Sequence, residues 1–225
     1  MVETEEKSTH SRAAIEEKGC ALISEDLVLD GGLGLYHQKQ RWLAVSDLHF
    51  GYELSRRVAG GLWPLWGMAT VAERLDSLVK KHQPDRLILA GDVVDGAAGH
   101  KEATAWLTEV SSLTELILIK GNHDRGRICQ NFDFLPYHLE DGYYFHHGHL
   151  TACEKAEGRI KIEGHIHPSH RFDDGAGLRL KLPSLLVEDD RLVLPAFSPW
   201  AGGVKYDGEQ AKQWVCSPQR VWQVV

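Results

Sequence analysis

Apolar residues come in short blocks whose spacing changes along the chain. Residues 41–46 (RWLAVS), 86–90 (RLILA) and 115–120 (ELILIK) are brief, mostly apolar runs bounded by polar or turn-forming residues, as expected of buried strands. Between the first two, Met68, Val71, Leu75, Leu78 and Val79 recur at helical spacing, which predicts a helix ending at Pro84; residues 102–111 predict another. Strand, helix, strand, helix, strand in this order predicts parallel strands with crossover helices. Beyond about residue 140 the texture becomes β-rich: residues 143–147, 159–163, 178–182, 184–187, 191–194 and 221–225 read as strands joined by Gly-, Pro- and Asp-rich turns. No repeat or low-complexity linker intervenes, so this half is expected to add a second sheet to one α/β domain spanning residues 19–225. Residues 1–18 are mostly charged, lack an apolar period and read as a polar tail.

Composition narrows the class. With 43% hydrophobic and 25% charged residues in 225, the chain is of ordinary globular make-up and long enough to bury a core without staples. The 25 Lys+Arg against 32 Asp+Glu leave a net charge of −7, which argues against non-specific coating of nucleic acid but not against one locally positive cleft. Cys20, Cys129, Cys153 and Cys216 lie far apart with no C-x-x-C pair, so neither a thiolate zinc site nor a disulfide framework is expected. No apolar run approaches the roughly 18 residues of a membrane span, and the N-terminus lacks the order of a signal peptide. A cytoplasmic protein with no membrane association is the expectation. Histidine is the exception to this ordinariness: of 13, eight (His123, His138, His146, His147, His149, His165, His167 and His170) crowd between positions 123 and 170.

Polar residues follow several predicted strands directly: Asp47 and His49 in SDLHFG, Asp92 and Asp95 in GDVVD, Asn122 and His123 in GNHD. His147-Gly148-His149 and Gly164-His165-Ile166-His167 come later. Strand ends hold ligands rigidly while the adjoining loops stay open to substrate. Glycines at 91, 121, 148 and 164 permit tight turns and close backbone approach. Asp47/His49 and His165/His167 are spaced i, i+2, which in an extended segment would send both side chains of a pair to one face. Two such pairs with single ligands could enclose two neighbouring metal ions. Any one of these histidines alone would more ordinarily cap a loop or satisfy a core hydrogen bond.

The ordered series D-x-H, GD-x-x-D, GNHD, HGH and GH-x-H, spread over residues 43–170, resembles the calcineurin-like metallophosphoesterase superfamily. The flanking LAVSDLHFG, GNHDRG, GHIHPSHR and LVLPAFSPWAGG are similar to the small bacterial and archaeal ligase-associated DNA-damage-response endonucleases. The resemblance implies a four-layer αββα sandwich with mixed sheets. It also implies two divalent metal ions, the first held by Asp47, His49, Asp92 and His167 and the second by Asp92, Asn122, His147 and His165, with Asp92 bridging. A sulfur-free N/O donor set suits Mn²⁺, Fe or Zn²⁺, and the resemblance favours Mn²⁺. Two such ions less two carboxylates would leave about +2 in the cleft, enough to draw in a phosphate.

The implied activity is hydrolysis of phosphodiesters, in single-stranded nucleic acid or nucleotides, by in-line attack of a metal-bridging hydroxide with His123 as general acid. Asp95 matches a carboxylate that orients this histidine in some relatives, and it also suits a turn. His149 is expected beside the ligands and His170 in a loop. A phosphomonoesterase or nucleotide pyrophosphatase is the rival within enzymes, and a non-catalytic interaction module is the rival outside them. DNA-repair proteins are the partners the resemblance suggests. Arg125 and Arg171 are candidates to grip substrate phosphate; Arg56, Arg57 and Arg127 also lie near the motifs. Trp63, Trp66 and Trp200 read either as packing under a loop or as a surface that stacks a base.

Overall fold

The computed structural model describes residues 19–173, 175–206, 208 and 210–224, so the expected tail 1–18 and the last residue of the expected strand 221–225 lie outside the described residues. The first sheet begins as an antiparallel meander, β1 (Cys20–Leu22), β2 (Leu27–Asp30), β3 (Gly34–His37) and β4 (Trp42–Val45). After β4 come α1 (Tyr52–Val58) and α2 (Gly67–His82), then β5 (Arg86–Ala90), α3 (His100–Ser111), β6 (Glu115–Ile119), α4 (Ile128–Asn131) and β7 (Phe134–Leu135). β4, β5, β6 and β7 are parallel neighbours, as the alternation of strands and helices predicts. Their residues are buried on both faces at β4 and almost throughout β5, which is why their sequences are unbroken apolar runs.

The helix α2 turns Val71, Leu75 and Leu78 into the core. Lys80, Lys81 and His82 fill its last turn, where cations meet the negative end of the helix dipole. It stops at Gln83, which is left-handed (φ 44°), immediately before Pro84. At its other end no local side chain caps it; instead the buried Glu53 of α1 accepts the Met68 N–H at 2.8 Å.

Among the described residues the second sheet comprises β8 (His138–Glu140), β9 (Tyr143–Phe145), β10 (Ile160–Glu163), β11 (Pro168–Asp173), β12 (Arg179–Val187), β13 (Arg191–Val193), β14 (Val204–Lys205), β15 (Lys212–Ser217) and β16 (Arg220–Gln223). It is mixed: β9, β10 and β13 run parallel, while β12 is antiparallel to β11, β13 and β15. Residues 178–182 and 184–187, expected as two strands, form the single β12. Pro183 causes no break because it sits where the ladder changes partner, from β11 at residues 179–183 to β15 from Ser184 onward. His170, expected in a loop, lies within β11, where its Nδ1 is 2.9 Å from Gln213 Oε1.

The two sheets share one buried core. Trp42, wholly buried on β4, meets Phe145 and Tyr143 of the second sheet edge-on, with ring centroids at 5.0 and 5.3 Å. A parallel bridge between Ser46 and Ala196 joins the sheets beyond the ends of β4 and β13. The layered α/β sandwich with two mixed sheets is thus the fold that the resemblance implied. Over the second sheet, the described residues include a single 3₁₀ turn, Glu154–Ala156. No helix among them is long and apolar enough to cross a membrane.

Asp30, at the end of β2, is buried beneath the last turn of α2. Burial raises the pKa of its carboxyl, but His82 at 2.9 Å, Lys81 at 2.9 Å and the Gly32 N–H at 2.7 Å outweigh this and hold it well below the usual carboxylate range. A depressed folded pKa contributes stability that is complete above the unfolded value of about 3.9 and is lost as pH falls through the folded one. The urea midpoint is therefore expected to drop as pH falls below about 4. Asp30→Asn should lower the midpoint at neutral pH and flatten that acid limb.

Candidate metal centre

The polar residues that follow β4, β5, β6, β9 and β10 converge at one end of the sandwich. They arrive there by left-handed backbone: φ is 56° at Asp47, 45° at His49, 48° at Asp92, 68° at His165 and 54° at His167. Five of the eight non-glycine residues described with positive φ are therefore at this one site, a conformation that costs free energy and persists only where surrounding contacts enforce it. This corrects the sequence expectation of extended pairs. Asp47/His49 and His165/His167 each do reach the site, but from tight turns and not along a strand face.

The enforcing contacts run between turns. Asp47 N–H donates to Gly91 O at 3.1 Å and His49 N–H to Asp92 O at 2.9 Å, locking the turn after β4 to the turn after β5. Asp47 accepts the His165 N–H (3.0 Å to Oδ2) and the Ser46 hydroxyl (2.7 Å). Asp92 accepts the His123 N–H at 2.8 Å. Gly121 is required by close approach, since a Cβ there would stand 2.2 Å from both Asp92 N and Oδ1.

Three overlapping groups result, each with one ligand atom per residue within 4.8 Å of the others: Asp47/His49/His167, His49/Asp92/His123 and Asp92/His147/His165. His167 Nε2 lies 3.1 Å from Asp47 Oδ1 and 3.5 Å from His49 Nε2. His147 Nε2 lies 3.2 Å from Asp92 Oδ2 and 3.2 Å from Asn122 Oδ1. His49 thus links the first two groups and Asp92 the last two, with His49 Nε2 3.9 Å from Asp92 Oδ2.

The donor set fits divalent cations. His147 Nδ1 is 3.0 Å from the Ala90 carbonyl, an acceptor only, so this nitrogen must carry the ring's proton. In the neutral ring Nε2 is then a lone pair facing the Asp92 carboxylate, an arrangement relieved either by a second proton on the ring or by a metal cation held there. The buried His49 Nδ1 has no hydrogen-bond partner, with Asp95 Oδ1 3.7 Å away. Burial raises the Asp92 pKa, but His147, the His123 N–H and His49 outweigh it and bring it to about 2. His49 and His147 move up despite burial because of the carboxylates around them. His165 moves down, through burial and the neighbouring His147, and so favours its neutral, ligating form.

His123 stands at the mouth. Its Nδ1 is 2.9 Å from Asp95 Oδ1, and its side chain remains 40% exposed. Asp95, which suited either a turn or an orienting role, is positioned to orient this ring. Arg125 is exposed beside the cluster and donates to Asn122 O at 2.8 Å. Arg171 is not brought to the site: it lies in solvent on β11 opposite Lys181, with no hydrogen bond or ion pair to the site residues. His146 is buried away from the cluster, 2.9 Å from Glu163. His149 packs beside His147 and His165, at 5.3 and 6.3 Å between ring centroids, as expected.

Sequence reasoning missed Asp124. It is wholly buried, accepts the Val94 N–H at 3.0 Å and the Gly121 N–H at 2.8 Å, and is pushed up to about 6 by burial. Its signal was available as the last letter of GNHD.

A family model described as calcineurin-like phosphoesterase matches residues 41–222. No curated protein matches the chain. Among solved structures, the nuclease MPE of Pseudomonas putida is 24% identical, with a TM-score of 0.69 over 88% of this chain and 94% of its own. The phosphoesterase YfcE of E. coli is 18% identical, with a TM-score of 0.44 over 81% and 97%. With its motifs gathered at one end of a two-sheet sandwich and the family model spanning most of its length, the chain belongs to the calcineurin-like phosphoesterase family.

Proposed function

We propose that this chain is a dinuclear metal-dependent phosphodiesterase acting on nucleic acids or nucleotides. The observation that carries the reading is the position of His123, held by Asp95 at 2.9 Å and open to solvent at the edge of a His/Asp cluster whose groups are chained through His49 and Asp92. One cation would be held by Asp47, His49, Asp92 and His167, and the other by Asp92, Asn122, His147 and His165. The nitrogen and oxygen donors favour Mn²⁺, with Fe or Zn²⁺ as alternatives. Such a pair, when bound, supplies Lewis-acid polarisation of the phosphoryl oxygens and a more acidic attacking water.

The chain's own residues supply the rest. Asp95 accepts from His123 Nδ1 and fixes the plane of the ring; in the doubly protonated ring the other nitrogen delivers its proton to the departing oxygen, and Asp95 keeps the Nδ1–H. Arg125, exposed beside Asn122, offers its remaining guanidinium N–H groups to the substrate phosphate. The likeness in fold to a protein described as a nuclease is consistent with a diester in nucleic acid.

Mn²⁺ added to the metal-free protein should raise its Tm, because a ligand at 100 times its Kd stabilises by about 2.7 kcal/mol. Asp92→Ala should lose most of that shift, and titration calorimetry should find two equivalents bound to the wild type and fewer to the variant. An equal shift in both would remove Asp92 from the site. With Mn²⁺ bound, bis-p-nitrophenyl phosphate should be hydrolysed faster than p-nitrophenyl phosphate; the reverse order would favour a monoesterase. His123→Ala should keep its metal and lose about 10²–10⁴-fold in kcat on a diester with a poor leaving group.

A further inference from the structure

Four aromatic rings from separate stretches of chain meet beside the turns of Asp47 and His49. Tyr52 opens α1, Trp63 and Trp66 lie between α1 and α2, and Trp200 follows β13. Trp200 is central: its ring centroid is 4.4 Å from that of Trp66, 5.1 Å from Trp63 and 6.3 Å from Tyr52. One buried side chain seats the group. Glu53, 1% exposed, accepts the Trp200 Nε1–H at 3.1 Å while its other oxygen caps α2. Gly67 makes the room, because a Cβ there would stand 2.1 Å from Trp200 Nε1.

The only donor of the Trp200 indole is thereby consumed inside the protein. The outward side of this stretch is apolar: Trp66 is 47% exposed, and Leu62 and Leu65 in the same segment are 100% and 52% exposed. An apolar patch of this kind, held in place by a buried carboxylate, marks a binding surface more than a packing accident.

Its setting identifies the occupant. The Tyr52 N–H donates to His49 O at 3.0 Å and the Ser198 N–H to Asp47 O at 2.9 Å, so both arms of the cluster hang from the turns of the metal centre. The Arg56 guanidinium lies 4.5 Å from the centre of the Tyr52 ring, and Arg57 is exposed next to it. Aromatic faces interleaved with cations, continuous with a site that handles phosphate, fit a strand that offers bases and phosphates in alternation. A small phosphomonoester would leave Trp66 uncovered, and a duplex has its bases already stacked.

We propose that Trp66, backed by Trp200 and Trp63, stacks a nucleobase of single-stranded nucleic acid close to the scissile phosphate, and that this contact selects base-bearing single strands over base-free phosphodiesters. The proposal rests on the phosphodiesterase reading of the metal centre, and binding can be tested apart from turnover.

Stopped-flow tryptophan fluorescence on the Mn²⁺-loaded protein, read before hydrolysis, would give Kd for a short oligothymidylate and for an abasic oligomer of equal length and charge. The wild type should bind the base-bearing strand about tenfold more tightly, in keeping with one stacked base. Trp66→Ala, at an exposed position, should bring the ratio close to one, and Trp66→Phe should restore much of it. Equal Kd values in the wild type, or a ratio unchanged in Trp66→Ala, would overturn the platform. So would a concentration-dependent dimer that covers Trp66. Hydrolysis of bis-p-nitrophenyl phosphate, measured separately, reports on the metal centre: its absence would sink the diesterase reading without altering the binding ratio.

Discussion

Two carboxylates, Asp47 and Asp92, are buried at the ends of adjacent parallel strands, at 0% and 2% exposure. Burying charge is costly unless opposite charge or hydrogen-bond donors meet it. Much of the molecule near them answers that requirement. Backbone N–H groups of His123 and His165 point at the carboxylates, and imidazoles of His49, His147 and His167 surround them. The left-handed turns that deliver these groups are uncomfortable for residues with side chains, so the site holds together only because the strands beneath it are rigid. The core between the sheets, with Trp42 pressed edge-on against Phe145, supplies that rigidity.

Charge organisation explains how an acidic chain can handle an acidic substrate. The net −7 is spread over the whole sequence; within the cluster the buried carboxylates favour charge on His49 and His147, while burial and neighbouring imidazoles disfavour it on His165. Protons and divalent cations compete for the same lone pairs, which ties occupancy of the site to pH. His123 differs from the buried imidazoles in its surroundings: its ring pairs with Asp95 and keeps a solvent-facing side, while its backbone N–H donates to Asp92.

The parts of the fold that were legible in sequence are those where local pattern and burial agree. β4, β5 and β6 are continuous apolar runs because both faces are covered, and α2 keeps helical spacing up to Pro84. The meander β1 to β3 was not resolved into strands, since its pieces are three or four residues long and broken by Asp and Gly. β11 (PSHRFD) carries mostly polar residues, with a third of its positions exposed, and gave no apolar signal. Site residues were legible by identity, through five short motifs in order. Their backbone was not, because the hydrogen bonds that hold Asp47, His49 and Asp92 left-handed come from a neighbouring turn some 45 positions away and leave no local trace. The meeting of Trp66 with Trp200 spans a still larger separation, and nothing in either segment alone announces it.

The segment between α1 and α2 is fastened at its two ends, by Glu53 before it and Gly67 after it, while the turns that carry the charged cage belong to other parts of the chain. Lengthening such a segment is cheap, about 0.6 kcal/mol for each doubling. Evolution can therefore edit this strip, swapping or extending its rings to suit a different guest, while the inorganic chemistry next door is inherited intact.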